Sequence, residues 1–147
     1  MRILRSRFAW LGLGLSVLAC ALAGCSSGSS HSASRAQTVQ VKEKDFRILV
    51  APLRVRAGTV RLAVHNEGPD THELLIVRTS HGDLPLRSDG LTINEEAVEH
   101  TTVAVMEGRD PGHTEHLLVH LKPGRYELFC NMAGHYLGGM RAFLDVT

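Results

Sequence analysis

From Thr38 onward, apolar and polar side chains alternate in short runs, the period expected of strands with one buried face. Val60, Leu62 and Val64 alternate with Arg61, Ala63 and His65, while "HLLVHL" sets Leu117, Val119 and Leu121 on one face. "GRYELFC" does the same for Tyr126, Leu128 and Cys130. "HELLIV" is apolar almost throughout and follows the turn-forming "NEGPD"; Pro111-Gly112 and Lys122-Pro123-Gly124 mark further turns. Short strands joined by tight turns predict an all-β sandwich or open barrel with Greek-key links.

One segment breaks this rhythm. In "LTINEEAVEHTTVAVMEG", Leu91 to Gly108, Thr92 precedes Glu95 by three residues, the spacing of a capping box. Ala97, Val98, Thr101 and Val105 recur at roughly helical spacing. The segment predicts a short helix in a long connection, with a strand as the alternative for the β-branched run "TTVAV".

The first residues have a different pattern. "MRILRSRFAW" carries Arg2, Arg5 and Arg7 without an acid and leads into the short apolar "LGLGLSVLACALAG", the form of a secretory signal rather than of a membrane span. Its end, Leu22-Ala23-Gly24-Cys25, resembles the lipobox of bacterial lipoproteins, which implies cleavage before Cys25 and lipidation of that cysteine. The alternative is ordinary secretion with Cys25 near the cleavage site. The Ser-rich residues 26–37 cannot bury apolar surface and read as a tether, about 40 Å fully extended and roughly 20 Å as a random coil. Residues 1–24 are thus expected to be a signal peptide, 25–37 an anchor and tether, and 38–147 a folded domain outside the cytoplasm. Ser26 is compatible with outer-membrane sorting in a Gram-negative cell.

With 147 residues and 44% apolar content, the chain has room for one modest core. Loss of the leader removes three of the 16 basic residues and none of the 15 acids, leaving a net charge of −2. A slightly acidic domain argues against nucleic acid as a partner. Of the three cysteines, Cys20 leaves with the leader and Cys25 would be blocked by lipid. Cys130 is then an exported thiol without an intrachain disulfide partner, a liability unless something occupies it.

Cys130 opens the stretch "CNMAGHYLGGM", a C-x4-H-x4-M pattern ending at Met140. A thiolate and an imidazole are strong ligands for a soft or borderline metal, and a thioether is a typical weak axial partner in copper electron-transfer sites. Such sites take a second histidine from elsewhere in the chain. His72 is the best candidate, because it starts an apolar strand and shares a face with Leu74 and Ile76.

These features, "NEGPDTHELLIV" and "LKPGRYELFCNMAGHYLGGMRAFLDV", resemble the cupredoxins, the blue-copper family of plastocyanin, azurin and rusticyanin. The resemblance spans roughly residues 38–147 and implies an eight-stranded Greek-key β-sandwich with one type 1 copper near one end. Its ligands would be His72, Cys130, His135 and Met140. The ligand spacing is closer to the rusticyanin group than to plastocyanin. A rigid His2Cys set with a weak Met would let Cu(I) and Cu(II) share one geometry. Gly134 and Gly138-Gly139 would let the loop turn beside the metal. The resemblance further implies an apolar electron port around His135, formed by Met132, Ala133, Tyr136 and Leu137, for transient docking of redox proteins. Where many cupredoxins have Asn or Ser after the first histidine, pinning the cysteine loop, this chain has Glu73.

Other chemistry is poorly represented. His116 and His120 share a strand face but stand about 13 Å apart, too far to share a metal. His31, His65, His81, His100 and His113 are expected to face solvent. Cys130 is flanked by Phe129 and Asn131 rather than by the histidines of a trinuclear copper centre, and no Ser/His/Asp arrangement or phosphate loop is present. The expectation is a non-enzymatic, monomeric electron carrier of the cell envelope. A copper storage, delivery or sensing module is the alternative.

Overall fold

The structure, a computed structural model, describes residues 36–80 and 82–147. The expected signal peptide, Cys25, His31, nearly all of the tether and His81 lie outside these residues. Among the described residues no helix is long and apolar enough to cross a membrane.

Among the described residues nine strands form two sheets. They are β1 (Gln37–Lys44), β2 (Arg47–Ala51), β3 (Arg54–Val55), β4 (Gly58–Asn66), β5 (His72–Thr79), β6 (Thr102–Arg109), β7 (Thr114–Leu121), β8 (Gly124–Phe129) and β9 (Arg141–Val146). One sheet has the order β2-β1-β4-β7 and the other β3-β9-β8-β5-β6. The chain crosses to the second sheet for the short β3, returns for β4, crosses again for β5 and β6, returns for β7 and leaves once more for β8 and β9, giving the Greek-key sandwich. Eight strands were expected; the extra one is the two-residue β3, which pairs in parallel with the end of β9.

The alternation is realised as expected. Val60, Leu62 and Val64 of β4 and Val119 and Leu121 of β7 meet Leu74, Ile76, Tyr126, Leu128 and Leu144 of the facing sheet. The buried Tyr126 hydroxyl donates to the Lys122 carbonyl at 2.8 Å and accepts from the Lys122 N–H at 3.1 Å, pinning the turn before β8.

The connection between β5 and β6 forms a second apolar cluster on the far side of the five-stranded sheet. Leu75, Val77 and Phe129 point outward from that sheet and are buried beneath Ile93 and Val98, with Tyr136 beside them. This packing explains why "HELLIV" is apolar on both faces. The segment from Leu91 to Gly108 divides between the two expected forms. A single helical turn, α1 (Glu95–Val98), runs into a 3-10 turn (Glu99–Thr101), and the β-branched residues then enter β6. Val105 therefore belongs to a strand and is exposed rather than on a helix face. Thr92 is not the cap: Asn94 is, its side chain accepting from the Ala97 N–H. Thr92 is already engaged, its hydroxyl donating to Asp89 at 2.9 Å.

Beneath the end of the sandwich that carries His72 lies a buried ion pair. Glu43 takes the inward position that follows Val39 and Val41 on β1, and its carboxylate accepts from Arg109 at the end of β6. Arg109 stands opposite His72 in the β5–β6 register. Asn66 completes the arrangement, donating to the Arg109 carbonyl at 2.7 Å and the Asp70 carbonyl at 2.8 Å while accepting from the Gly68 N–H at 2.8 Å. The "NEGPD" turn that delivers His72 is thus tied to β6 and, through Glu67, to β1.

Burial pushes the Glu43 carboxyl above its ordinary value of 4.5, while the hydrogen bond and charge of Arg109 pull it back. Arg109→Met leaves the acid buried without its partner and is expected to cost about 3–5 kcal/mol, whereas Glu43→Leu together with Arg109→Met should cost far less. Because the folded-state pKa is raised, folding of Arg109→Met carries the full penalty of burying a carboxylate only above that raised pKa. That penalty shrinks as pH falls through the raised pKa toward 4.5. Urea unfolding of both variants between neutral and mildly acidic pH measures both effects.

Candidate metal centre

Three donors converge at one end of the sandwich. The ligand atoms of His72, Cys130 and His135 all lie within 4.8 Å of one another. The first of these residues opens β5, and the other two belong to the loop between β8 and β9. Cys130 Sγ is 3.6 Å from His135 Nδ1, and the two imidazole centroids are 5.3 Å apart at an interplanar angle of 63°. His72 and Cys130 are fully buried, and His135 is 8% exposed. Cys130 is a free thiol.

The loop has to turn back within ten residues, and its backbone shows how. The Cys130 N–H donates to the Met140 carbonyl at 3.1 Å, and the Met140 N–H donates to the His135 carbonyl at 2.9 Å. Gly134 at φ +81° and Gly139 at φ +102° adopt left-handed backbone that a side chain would strain. Gly138 has a different role: a Cβ there would run into the Phe46 ring. Met140, the fourth expected donor, is fully buried in the same core cluster as Cys130. Its backbone is therefore bonded to both of the other loop residues of the set.

The electrostatics suit a metal ion. Burial pushes the Cys130 thiol up to about 11, opposed by the backbone N–H groups of Met132 and Glu73 that face the sulfur. Burial, and then the neighbouring His135, lower the pKa of His72, against a smaller opposite pull from Asp45. A neutral imidazole with a free lone pair follows. Both His72 nitrogens are buried without a hydrogen bond, although Nε2 lies 3.1 Å from Asp45 Oδ1. An unpartnered His72 nitrogen, with the His135 ring and a buried thiol beside it, forms a donor set that fits a soft or borderline cation such as copper.

Glu73, in place of the usual Asn or Ser, lies against the cysteine loop. Burial raises its pKa, followed by the charge of Glu95, while the Asn131 N–H acts to lower it. The Asn131 side chain supplies a further tie, accepting from the Ile93 N–H at 2.5 Å and donating to the Glu95 carboxylate at 2.7 Å. Thus the residue after Cys130 is fastened to the long connection.

The surface around His135 differs from expectation in one member. Met132 and Leu137 are exposed, but Tyr136 is buried, because it turns inward to pack on Phe129 at 5.4 Å and to bond Glu127. Its place is taken by Phe46, 53% exposed at the tip of the β1–β2 hairpin, with its ring edge-on to His135 at 5.3 Å. Phe46 holds left-handed backbone, φ +60°. Together Asp45 and Phe46 set one residue against each imidazole. Neither was anticipated from the sequence; the signal was "KDF", a two-residue turn carrying an exposed aromatic between alternating strands. Of the other described histidines, His100, His113, His116 and His120 are exposed, and His65 is half-buried with Nδ1 2.8 Å from the Thr114 hydroxyl.

No protein-family model matches the sequence, and no curated protein matches it. Solved structures do. An auracyanin from the photosynthetic bacterium Roseiflexus castenholzii, in its dithionite-reduced form, is 21% identical, with 76% of this chain and 98% of the auracyanin covered and a TM-score of 0.59. Auracyanin A, a "blue" copper protein of the green thermophilic photosynthetic bacterium Chloroflexus aurantiacus, is 15% identical over 77% of this chain and 100% of its own, with a TM-score of 0.58. Rusticyanin from Thiobacillus ferrooxidans is 17% identical over 77% of this chain and 79% of its own, with a TM-score of 0.55. The chain has the cupredoxin fold, and its His72, Cys130 and His135 side chains are grouped closely enough to hold a metal ion.

A Cβ on Gly68 would lie 2.5 Å from His72 Nε2 and 2.7 Å from Asp45 Oδ1. Gly68→Ala is expected to push the His72 ring away from the other donors and weaken copper affinity by about tenfold or more, the scale of losses from disturbed ligand support. Competition with a chelator measures the affinity, and far-UV circular dichroism should show the sandwich intact.

Proposed function

We propose that this protein is an extracytoplasmic type 1 copper protein that carries single electrons between redox partners. The observation that supports this most directly is the buried cluster of one thiol and two imidazoles, His72 unsatisfied by any hydrogen bond, on a cupredoxin frame. When bound, copper would supply one-electron exchange between its Cu(II) and Cu(I) states.

The residues of this chain would hold and shield that ion. His72, Cys130 and His135 would be the strong donors, and Met140 a weaker one. Rigid backbone closure of the loop would keep the donor geometry the same in both oxidation states. Full burial of His72, Cys130 and Met140 favours a carrier over a storage, delivery or sensing protein, since exchange of the ion with another protein needs an accessible ligand. The slightly exposed His135 ring, with Phe46, Met132 and Leu137 around it, is the route by which an electron would leave. An apolar rim of this kind suits brief docking with redox proteins of the cell envelope. The protein acts as a monomer, not as an enzyme, and is held to a bacterial membrane through lipidated Cys25 and the tether of residues 26–37.

Copper(II) added to protein lacking residues 1–25 is expected to produce the intense visible sulfur-to-copper band and narrow-hyperfine EPR signal of a type 1 site. Cys130→Ser should lose both; an unmodified site that gives neither would sink the proposal. Reversible reduction with retention of copper against a chelator supports the carrier, whereas ready loss of the ion to the chelator supports delivery.

A further inference from the structure

Glu127 is fully buried, yet it lies on the face of β8 opposite the metal-side core. Its carboxylate accepts from the Tyr136 hydroxyl at 3.0 Å. That hydroxyl is a meeting point, since it also accepts from Arg141 Nη1 at 2.6 Å and from the Leu84 N–H at 3.3 Å. Arg141 in turn donates to Asp83 at 2.7 Å, lies 3.6 Å from Glu127 and stacks its guanidinium 4.8 Å from the Tyr136 ring centre. A strand, the metal loop, the last strand and the long connection are therefore joined at one oxygen atom.

The positions of these residues in the chain give the junction its meaning. Tyr136 directly follows His135, and Arg141 directly follows Met140. Two donors of the set are each one peptide bond from a member of the network. Along the loop, most backbone hydrogen bonds are short-range ones, such as His135 N–H to Met132, Gly138 N–H to Gly134, Gly139 N–H to Tyr136 and Met140 N–H to His135; its first half is also tied to the long connection, through Asn131 and through the Gly134 N–H, which donates to the Leu91 carbonyl at 3.1 Å. Such turns resist displacement weakly by themselves. The Tyr136 hydroxyl is where the second half of the loop, from His135 to Met140, is bonded to a side chain of β8.

We infer that Tyr136, held between Glu127 and Arg141, is a positioning residue for His135 and Met140: it sets where the loop places these two donors. This rests on the reading of both residues as copper ligands. The ring of Tyr136 packs on Phe129 through its carbon atoms, so Tyr136→Phe keeps the packing and removes only the junction.

Two readouts separate positioning from mere support of the fold. In the metal-free protein, Tyr136→Phe should speed amide hydrogen exchange at His135, Gly138, Gly139 and Met140 by about five- to tenfold, the effect of one lost hydrogen bond, while Leu62 and Val64 in β4 stay unchanged. In the copper-loaded protein it should change the copper hyperfine splitting and the ratio of the visible bands. Glu127→Gln retains an acceptor for the hydroxyl and should stay near the parent in both, whereas Glu127→Leu should follow Tyr136→Phe. The inference is overturned if exchange in Tyr136→Phe rises evenly across the molecule or not at all, or if its copper spectra superimpose on those of the parent. A parent that forms no type 1 spectrum would defeat the functional proposal instead, and the metal-free exchange pattern would still decide whether Tyr136 fixes the loop.

Discussion

Everything at the metal end depends on closing a short loop without a sheet to support it. From Cys130 to Met140 the chain leaves β8, turns and enters β9, and the pairing of Cys130 with Met140 and of Met140 with His135 returns it to register. Once those bonds form, the thiol and imidazole of the loop are committed to one side of the sandwich. The β4–β5 turn, tied down by Asn66 and by the Glu43–Arg109 pair, then brings in His72. Donors separated by more than fifty residues meet because two independent turns end at the same place.

That meeting is costly in a metal-free chain. A buried thiol pushed up to about 11 and a buried imidazole with two unbonded nitrogens are polar groups removed from water with little in return. A cation held by the thiolate and by one nitrogen lone pair from each imidazole would relieve the thiol and one of the two His72 nitrogens. Gly68 leaves room beside His72, and the Asp45–Phe46 turn covers the two rings from the hairpin side.

Buried charge recurs where elements are joined. Glu43 and Arg109 link the sheets beneath His72, while Glu127 and Arg141 link the loop to the five-stranded sheet through Tyr136. In both places a side chain that would ordinarily face water is enclosed by another segment. The long connection from β5 to β6 has the same effect on a larger scale, converting an outer sheet face into a second core around Phe129 and Ile93.

Much of this was legible in residue order. Alternation in β4, β7 and β8 requires a period of two, and a sheet with one buried face is the simple way to satisfy it, so strands and core face could be read directly. The unpaired thiol and the spacing of Cys130, His135 and Met140 are local, and they pointed to a metal loop without any knowledge of the fold. What alternation could not reveal was which outward faces would be covered. Glu127 and Tyr136 look like surface residues by pattern, and both are buried because the connection and Arg141 pack over them. The turn at Asp45 and Phe46 could be read from "KDF", but nothing in the sequence tied it to the site, since its significance is the proximity of a hairpin tip to His72 and His135. Periodicity and short-range spacing are set by the covalent chain, and so the sequence by itself carried the strands and the loop donors. The coverage of the sheet, the cap over the imidazoles and the junction at Tyr136 depend on contacts between distant segments, which exist only once the sandwich has closed.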